Sequence, residues 1–425
     1  MKFAICNLGC KVNNFEANWY AMKLKERYQQ VDFKQFADIY VINSCTVTNM
    51  ASSKSRQMIR KARKQNPQAV IVAVGCYVQM ETGRVDAFKE CDILIGSKDK
   101  IKLPQLLEQF LTDRRKINIV EKFEQTVFEE MFIKDFNQTR AYLKIQDGCN
   151  QFCGYCIIPY ARGRERCLNI DSIIRQARQL TSVGHRELVL TGIHTGRWTD
   201  QGLDLADLIE KLLEEVKELE RLRISSIEVT EVSDKLIDLM LKDERIARHL
   251  HIPVQTGVDR LLKLNNRPYS AEYFYQRIRE IKGRVTDISI SSDVIVGLPT
   301  ETDADFAKTK DFIEKCELSF LHIFPYARKR VTADSALKEQ VDETVKKQRV
   351  ACLTNLSDRL YNKYIDGFVG KTVSVLFEKQ ENGIFIGHCS QYIIVKIKSE
   401  TDCTNKLKDV YVDSVQGQTL WGHII

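Results

Sequence analysis

Over most of this chain, short apolar runs alternate with longer stretches of helix-forming residues. Runs at 3–6, 39–43, 69–74 and 93–95 read as buried strands, with helical segments such as 14–28 and 52–65 between them. The pattern resumes with strand-like runs at 142–146, 187–191, 222–229, 249–254, 288–296 and 320–326. Helix-like segments at 173–183, 205–219, 235–241, 271–281 and 306–315 separate them. Parallel strands need a crossover, usually a helix, so this alternation predicts an α/β chain with two parallel units. The first covers 1–120, and the second is a set of six βα units over 135–366. The tail differs. After a helix at 342–364, strands at 372–377, 384–387, 392–398, 410–415 and 420–424 predict a small all-β barrel over 367–425.

Cysteines mark the strand ends of the first unit. Cys10, Cys45 and Cys76 each follow a predicted strand and lie 35 and 31 residues apart, close to one βαβ repeat. In a parallel sheet all carboxyl ends share one edge, where ligands bind, so the three should converge. Gly9 and Gly75 each precede one of these cysteines and suit a tight turn or close approach. Three buried structural cysteines are the alternative, and Cys6 and Cys91 read that way. A second triplet, Cys149, Cys153 and Cys156, forms a C-x3-C-x2-C run after the first strand of the second unit. Three thiolates so close can hold three irons of a four-iron cube and leave the fourth open for chemistry. A zinc knuckle is the alternative, but it needs a nearby fourth ligand, and the next cysteine is Cys167.

The run IQDGCNQFCGYCIIPYARGR, with Tyr155 before its last cysteine, resembles the radical S-adenosylmethionine (SAM) enzymes, and within them the methylthiotransferase family. The resemblance implies that the six βα units form the partial barrel of that superfamily. It implies a four-iron cluster on Cys149, Cys153 and Cys156 that binds SAM and cleaves its C5′–S bond to a 5′-deoxyadenosyl radical. It also implies a second four-iron cluster on Cys10, Cys45 and Cys76, carrying the sulfur that is methylated and inserted. SAM contacts are expected from Tyr155, from Thr191 and Gly192 in LTGIHTG, from Ser226 and Glu228 in RISSIEV, and from Gln255 and Gly297. For Glu228 a surface salt bridge is an equal alternative. His249 and His251 are expected on opposite faces of their strand, as packing or substrate-edge residues. Val331 stands where relatives usually carry glycine, so the loop there departs from the family pattern. The barrel at 367–425 resembles the TRAM domain, an RNA-binding module.

Within the family, NLGCKVNNFEANWY and PYARGRER resemble the branch acting on N6-threonylcarbamoyladenosine of tRNA. The isopentenyladenosine branch and the branch acting on a ribosomal-protein aspartate remain alternatives, as does a non-catalytic RNA-binding iron–sulfur protein. The expected partners are a tRNA anticodon loop, an electron donor such as flavodoxin or ferredoxin, and a sulfur source. A net charge of +7 permits a nucleic-acid partner without requiring one. Candidate phosphate contacts are Lys54, Arg56, Arg60, Lys61, Arg63 and Lys64, a run without acids, and Lys396 and Lys398, with Lys406 and Lys408, in the tail. Arg162, Arg164 and Arg166 are candidates for phosphate or the SAM carboxylate. No apolar run approaches the roughly 18 residues of a membrane span. The amino-terminal stretch lacks the apolar core of a secretory signal. The chain is therefore expected in the cytoplasm, where most of its thirteen cysteines would be ligands or buried residues rather than disulfides.

Overall fold

The computed structural model describes residues 1–81, 83, 87–123 and 127–425. Its first unit runs β1 (Lys2–Asn7), α1 (Lys11–Lys25), β2 (Gln29–Gln30), β3 (Ile39–Ser44), α2 (Asn49–Gln65), β4 (Val70–Gly75), α3 (Cys76–Glu81), β5 (Ile93–Ile95), α4 (Leu103–Asp113) and β6 (Ile117–Asn118). All strands are parallel in the order β2-β1-β3-β4-β5-β6. β3 and β4 are buried end to end. A strand covered on both faces is continuously apolar, which is why these two were so plain in the sequence. The two-residue β2 and β6 carry no such pattern and were not anticipated. After β1 the chain goes to one side for β2 and then to the other for β3. The β1/β3 gap is thus the topological switch point, where α/β sheets bind ligands.

The second unit runs β7 (Arg140–Lys144), β8 (Gln146–Asp147), α5 (Ile158–Arg162), β9 (Arg166–Cys167), α6 (Ile170–Ser182), β10 (Glu187–Thr191), α7 (Leu205–Glu215), β11 (Arg221–Ile224), α8 (Asp234–Lys242), β12 (His249–His251), α9 (Asp259–Leu264), α10 (Ala271–Arg284), β13 (Ser289–Val296), α11 (Asp303–Cys316) and β14 (Phe320–Pro325). Six parallel strands form an open barrel in two halves, β7-β10-β11 and β12-β13-β14. Bridges Leu222–Ile246 and Ser226–His251 join the halves. Side chains of Asn169, Asp204, Ser233, Ser270 and Thr302 cap α6, α7, α8, α10 and α11, so each helix start is written locally.

The third barrel strand ends at Ile224 rather than at 229. The reason is a change of partner. Ser225 N still donates to Leu190 O of β10 at 3.1 Å, whereas Ile227 N donates to His251 O of β12 at 3.0 Å. The backbone crosses from one half-barrel to the other, and Ser226 and Glu228 fall in the loop beyond.

Helix α12 (Glu343–Asp366) lies along β14 and leads to a closed five-stranded barrel. Its strands are β15 (Thr372–Glu381), β16 (Ile384–Cys389), β17 (Ile394–Lys398), β18 (Leu407–Gln416) and β19 (Thr419–Ile424). This barrel has its own apolar core, including Val375, Phe377, Phe385 and Val395. The first two units share one: a single core runs from Phe3 and Trp19 through Phe136 to Leu321. Among the described residues no helix is long and apolar enough to cross a membrane.

Candidate active site

The short antiparallel pair β8/β9 closes the base of the loop that carries Cys149, Cys153 and Cys156. Inside it, Cys149 N donates to Gly163 O at 3.1 Å and Cys156 N to Cys153 O at 2.9 Å. Arg267 Nη1 donates to Cys153 Sγ at 3.5 Å, and His194 Nδ1 lies 3.5 Å from Cys149 Sγ. Burial pushes the Cys153 thiol up and that of Cys156 up to about 12. Such thiols ionise when a metal takes the sulfur. All cysteines are free. Among the described residues no three Cys, His or carboxylate groups converge as they would around one ion. Three thiols on one short loop are the donor set of a cube, one to each of three irons.

Over the loop lies a cleft with about 760 Å³ of free space, lined by the three cysteines with Tyr155, Ser226, Glu228 and Gln255 among others. These four are expected SAM contacts that the fold brings together. Gln255 is buried with φ +65°, a backbone conformation that costs a non-glycine residue energy and that concentrates at functional sites. Glu228 is ion-paired with the buried Arg267, so its salt bridge is internal rather than on the surface. Thr191 and Gly192 stand behind the cleft. The Thr191 hydroxyl donates to Val189 O at 3.0 Å, and Gln146 Oε1 holds the next two amides, Ile193 N at 3.0 Å and His194 N at 2.9 Å. Gly297 lies away from the cleft lining: its amide donates to Glu301, and Lys346 packs over it. Gln146, His194, Arg267 and Asp293 of this site were not anticipated.

The second triplet sits at the switch-point edge. Cys10 precedes α1, Cys45 follows β3, and Cys76 opens α3. Gly9 at φ +135° and Gly75 at φ +101° make the turns before Cys10 and Cys76, in conformations that favour glycine. Cys10 is exposed, while Cys45 and Cys76 are buried. Burial pushes Cys45 up to about 11, with the neighbouring Cys76 and Cys10 adding to the rise. Burial raises Cys10 as well, and Arg162 opposes it. Lys329 is buried beside Cys45, and desolvation lowers its amine. Three thiols with cations beside them suit a metal–sulfur group of net negative charge. The space over the first triplet adjoins one that reaches the segment after Cys45. A second space of about 710 Å³ shares Tyr155, Cys156, Ile158, Gln255 and Asp293 with the first, and its far wall is Val47 and Thr48, just past Cys45.

Several expectations are corrected. Arg162 is fully buried and binds Glu16 and Asp147 at 3.1 and 3.0 Å, so it is available to neither phosphate nor SAM carboxylate. Arg166 reaches Asp147 at 3.4 Å, and Arg164 lies over the Phe152 ring at 4.6 Å. His249 and His251 share a face, because a strand repeats every two residues. Both reach Ser291 Oγ, at 3.1 and 2.9 Å. In the basic helix α2, Arg63 bonds Pro67 O, Ala69 O and Asp92, and Arg56 bonds the Tyr77 hydroxyl at 3.3 Å. Lys54, Arg60, Lys61 and Lys64 remain on the exposed face. On the small barrel, Lys396 lies over the Trp421 ring at 5.8 Å and Lys398 is exposed. Val331 is 43% exposed and needs no left-handed backbone, because the turn closes through Thr332 N donating to Lys329 O at 3.0 Å.

Comparison with known proteins covers both units. Residues 143–313 match the model of the radical SAM superfamily, and residues 2–96 match that of an uncharacterized protein family, UPF0004. The chain is 39% identical to the threonylcarbamoyladenosine tRNA methylthiotransferase MtaB of Bacillus subtilis, over 96% of this chain and 93% of that one. It is 36% identical to the protein of the same name from Aquifex aeolicus, over 88% and 92%. It is 31% identical to a tRNA-2-methylthio-N(6)-dimethylallyladenosine synthase of Acetivibrio thermocellus, over 100% and 91%. Among solved structures, the radical SAM methyltransferase TsrM of Kitasatospora setae superposes with a TM-score of 0.58 at 13% identity, over 79% of this chain and 76% of that one, a likeness of fold.

Proposed function

The chain belongs to the radical SAM tRNA methylthiotransferases, and from that premise we propose that it transfers a methylthio group to C2 of N6-threonylcarbamoyladenosine at position 37 of tRNA. In this reading Cys149, Cys153 and Cys156 hold one four-iron cluster, Cys10, Cys45 and Cys76 a second, and SAM binds between them in the cytoplasm. The observation that carries it is the pair of adjoining spaces, one over the Cys149 loop and one reaching Val47 and Thr48 beside Cys45, which share Tyr155, Cys156, Ile158, Gln255 and Asp293. Identities of 39% and 36% to the threonylcarbamoyl relatives, against 31% to the dimethylallyl one, favour the substrate branch.

When bound, these groups would supply one-electron cleavage of SAM and a sulfur that accepts a methyl group. The chain does the rest. Arg267 fixes Cys153 and Glu228 together, so the cluster loop and a carboxylate suited to SAM's ribose keep one geometry. Gln146 holds the 192–194 loop over the cysteines. Tyr155, Ile158, Ile295 and Phe324 give the cleft an apolar wall that excludes water and offers a flat face to an unstacked base. C2–H of adenine has no acidity for a general base to exploit, so the cleft must bring together a radical source, a sulfur and a base rather than an acid–base pair. An electron donor such as flavodoxin or ferredoxin and a sulfur source complete the cycle.

Nucleoside mass spectrometry of tRNA from a strain lacking this chain tests the reading. Loss of 2-methylthio-N6-threonylcarbamoyladenosine is expected. Its persistence, with loss of the isopentenyl derivative instead, would assign the other branch.

A further inference from the structure

Five charged side chains meet at the seam between the two α/β units: Glu16, Lys100, Lys144, Asp147 and Arg162, each at most 2% exposed. Glu16 is bound by Lys100, by Lys144 at 3.3 Å and by Arg162 at 3.1 Å. Asp147 is bound by Lys144 at 2.7 Å and by Arg162 at 3.0 Å. Three basic groups face two carboxylates, a formal excess of one positive charge, and burial already lowers the Lys100 amine. The margin does not supply the missing anion. Arg166 adds a cation on one side, and the half-buried Glu129, which accepts the Asp99 and Lys100 amides, offsets it on the other. An uncompensated charge out of water is strongly disfavoured.

The unspent capacity is at Arg162. Both of its terminal nitrogens are engaged, Nη2 with Asn13 Oδ1 at 2.7 Å, but its buried Nε has no partner. The Tyr20 hydroxyl on α1 is likewise buried without a partner. Two links place the guanidinium beside the second triplet. Asn13 Oδ1 also accepts from Cys10 Sγ at 3.4 Å, and α5, which ends on Arg162, packs against α3, which begins with Cys76. Three thiolates outweigh the charge of an oxidised four-iron cube, so a loaded triplet is an anion of the kind the seam lacks.

We propose that Arg162 is a positioning residue for the second cluster, donating its Nε–H to the group on Cys10, Cys45 and Cys76 and supplying the countercharge that sets its potential. This rests on the two-cluster reading. Arg162 is also six residues past Cys156, and its neighbour Gly163 accepts from Cys149 N. One side chain therefore ties the loop of the first triplet to the environment of the second.

The test is a redox titration, followed by electron paramagnetic resonance, of the full-length chain with Cys149, Cys153 and Cys156 changed to Ala and reconstituted with iron and sulfide. Reduction adds negative charge, so Arg162→Gln should lower the midpoint by at least tenfold in the reduced-to-oxidised ratio at fixed potential, about 59 mV for one electron. Arg162→Lys, which keeps the charge but loses the Nε donor, should fall between. Glu16→Gln removes an anion and should move the midpoint the opposite way, an opposition that general disruption of the seam would not produce. Unmoved midpoints, or shifts of the same sign, overturn the proposal. Should Arg162→Gln take up no cluster, the sign for Glu16→Gln decides alone: a rise supports the proposal, and no rise sinks it. A parent protein that assembles no cluster refutes the two-cluster reading itself, and this inference with it.

Discussion

Changing Glu187 to Gln tests how the small barrel is held under the large one. Glu187, on β10, is fully buried and accepts from Arg223 Nε at 2.7 Å and Arg221 Nη1 at 3.3 Å. The same two arginines donate to Ser374 O at 2.8 Å, His388 O at 3.2 Å, Cys389 O at 3.2 Å and Ser390 O at 2.9 Å of the carboxyl-terminal barrel. The carboxylate thus anchors the two cations that dock that barrel. Burial pushes its carboxyl up, but Arg223 and Arg221 pull it down further, to about 2 from 4.5. That displacement is worth roughly 3 kcal/mol, of the order measured when one partner of a buried pair is removed. The folded-state value is depressed, so this stability is fully present above pH 4.5 and is lost as pH falls toward 2. Urea unfolding of metal-free wild type and Glu187→Gln should differ by roughly 3 kcal/mol at pH 7 and only about 1.5 kcal/mol at pH 3. Proteolysis near Gly367–Lys371 should quicken in the variant at pH 7. A gap that does not change with pH, or one below about 1 kcal/mol at pH 7, would refute the reasoning.

Asp334 is buried with one carboxylate oxygen unpartnered, and burial alone pushes it up to about 6. Its raised value means stability is present below pH 3.8 and lost as pH rises through 6, so Asp334→Asn should stabilise by about 1–2 kcal/mol at pH 7.5 and by nothing below pH 4, as read by unfolding. Gly75→Ala places a Cβ 3.0 Å from Asn43 Oδ1 and Ser44 O at φ +101°. It should cost about 1–2 kcal/mol and lower the iron bound per chain in protein lacking the Cys149 triplet. On α2, Arg60→Ala with Lys61→Ala should weaken tRNA binding and flatten its logarithmic salt dependence by about 0.7 per lost phosphate contact, leaving stability unchanged. Arg63→Ala, which loses bonds to Pro67 O, Ala69 O and Asp92, should instead cost about 1–3 kcal/mol of stability.

What could be read from the sequence was whatever the backbone repeats. The convergence of Cys10, Cys45 and Cys76 follows from the βαβ period, because each cysteine ends the same step of it, and the six barrel strands follow from their apolar runs. What could not be read depends on partners far apart along the chain. Glu16 meets Lys100 and Arg162 across 84 and 146 residues, and no periodicity announces such a meeting. Arg162 stands in RGRER and looked like one charge of an exposed basic loop. Only the packing of α5 on α3 turns it inward. Gln146 and Arg267 are single polar residues with no motif around them, and their roles lie in what they hold: backbone amides for one, a cysteine and a glutamate for the other. Gln255 gave no sign of its left-handed backbone, because the residue type argues against it.

The geometry also explains why the first unit has to be present at all. A half-barrel of six strands is open along one side, and the loop of Cys149, Cys153 and Cys156 lies at its carboxyl edge. The first sheet presents its own carboxyl edge, the β1/β3 switch point, to that opening. The enclosure is therefore made of two sheet edges facing each other, with Val47 and Thr48 from one and Tyr155, Gln255 and Asp293 from the other. Neither edge encloses a substrate alone. The shared apolar core holds the edges in register, but apolar packing tolerates small slides. The buried ion network tolerates them less, because each carboxylate is shared by cations from more than one segment and a shift would leave a charge unpaired. On the proposed reading, a metal–sulfur anion at the second triplet completes that network, so loading the site and fixing the cleft become one event. A chain without the second cluster would then lose cleft geometry as well as its sulfur. Hydrogen exchange at the α3 and α5 amides should therefore slow on reconstitution, and equal exchange in loaded and empty protein would separate the two events.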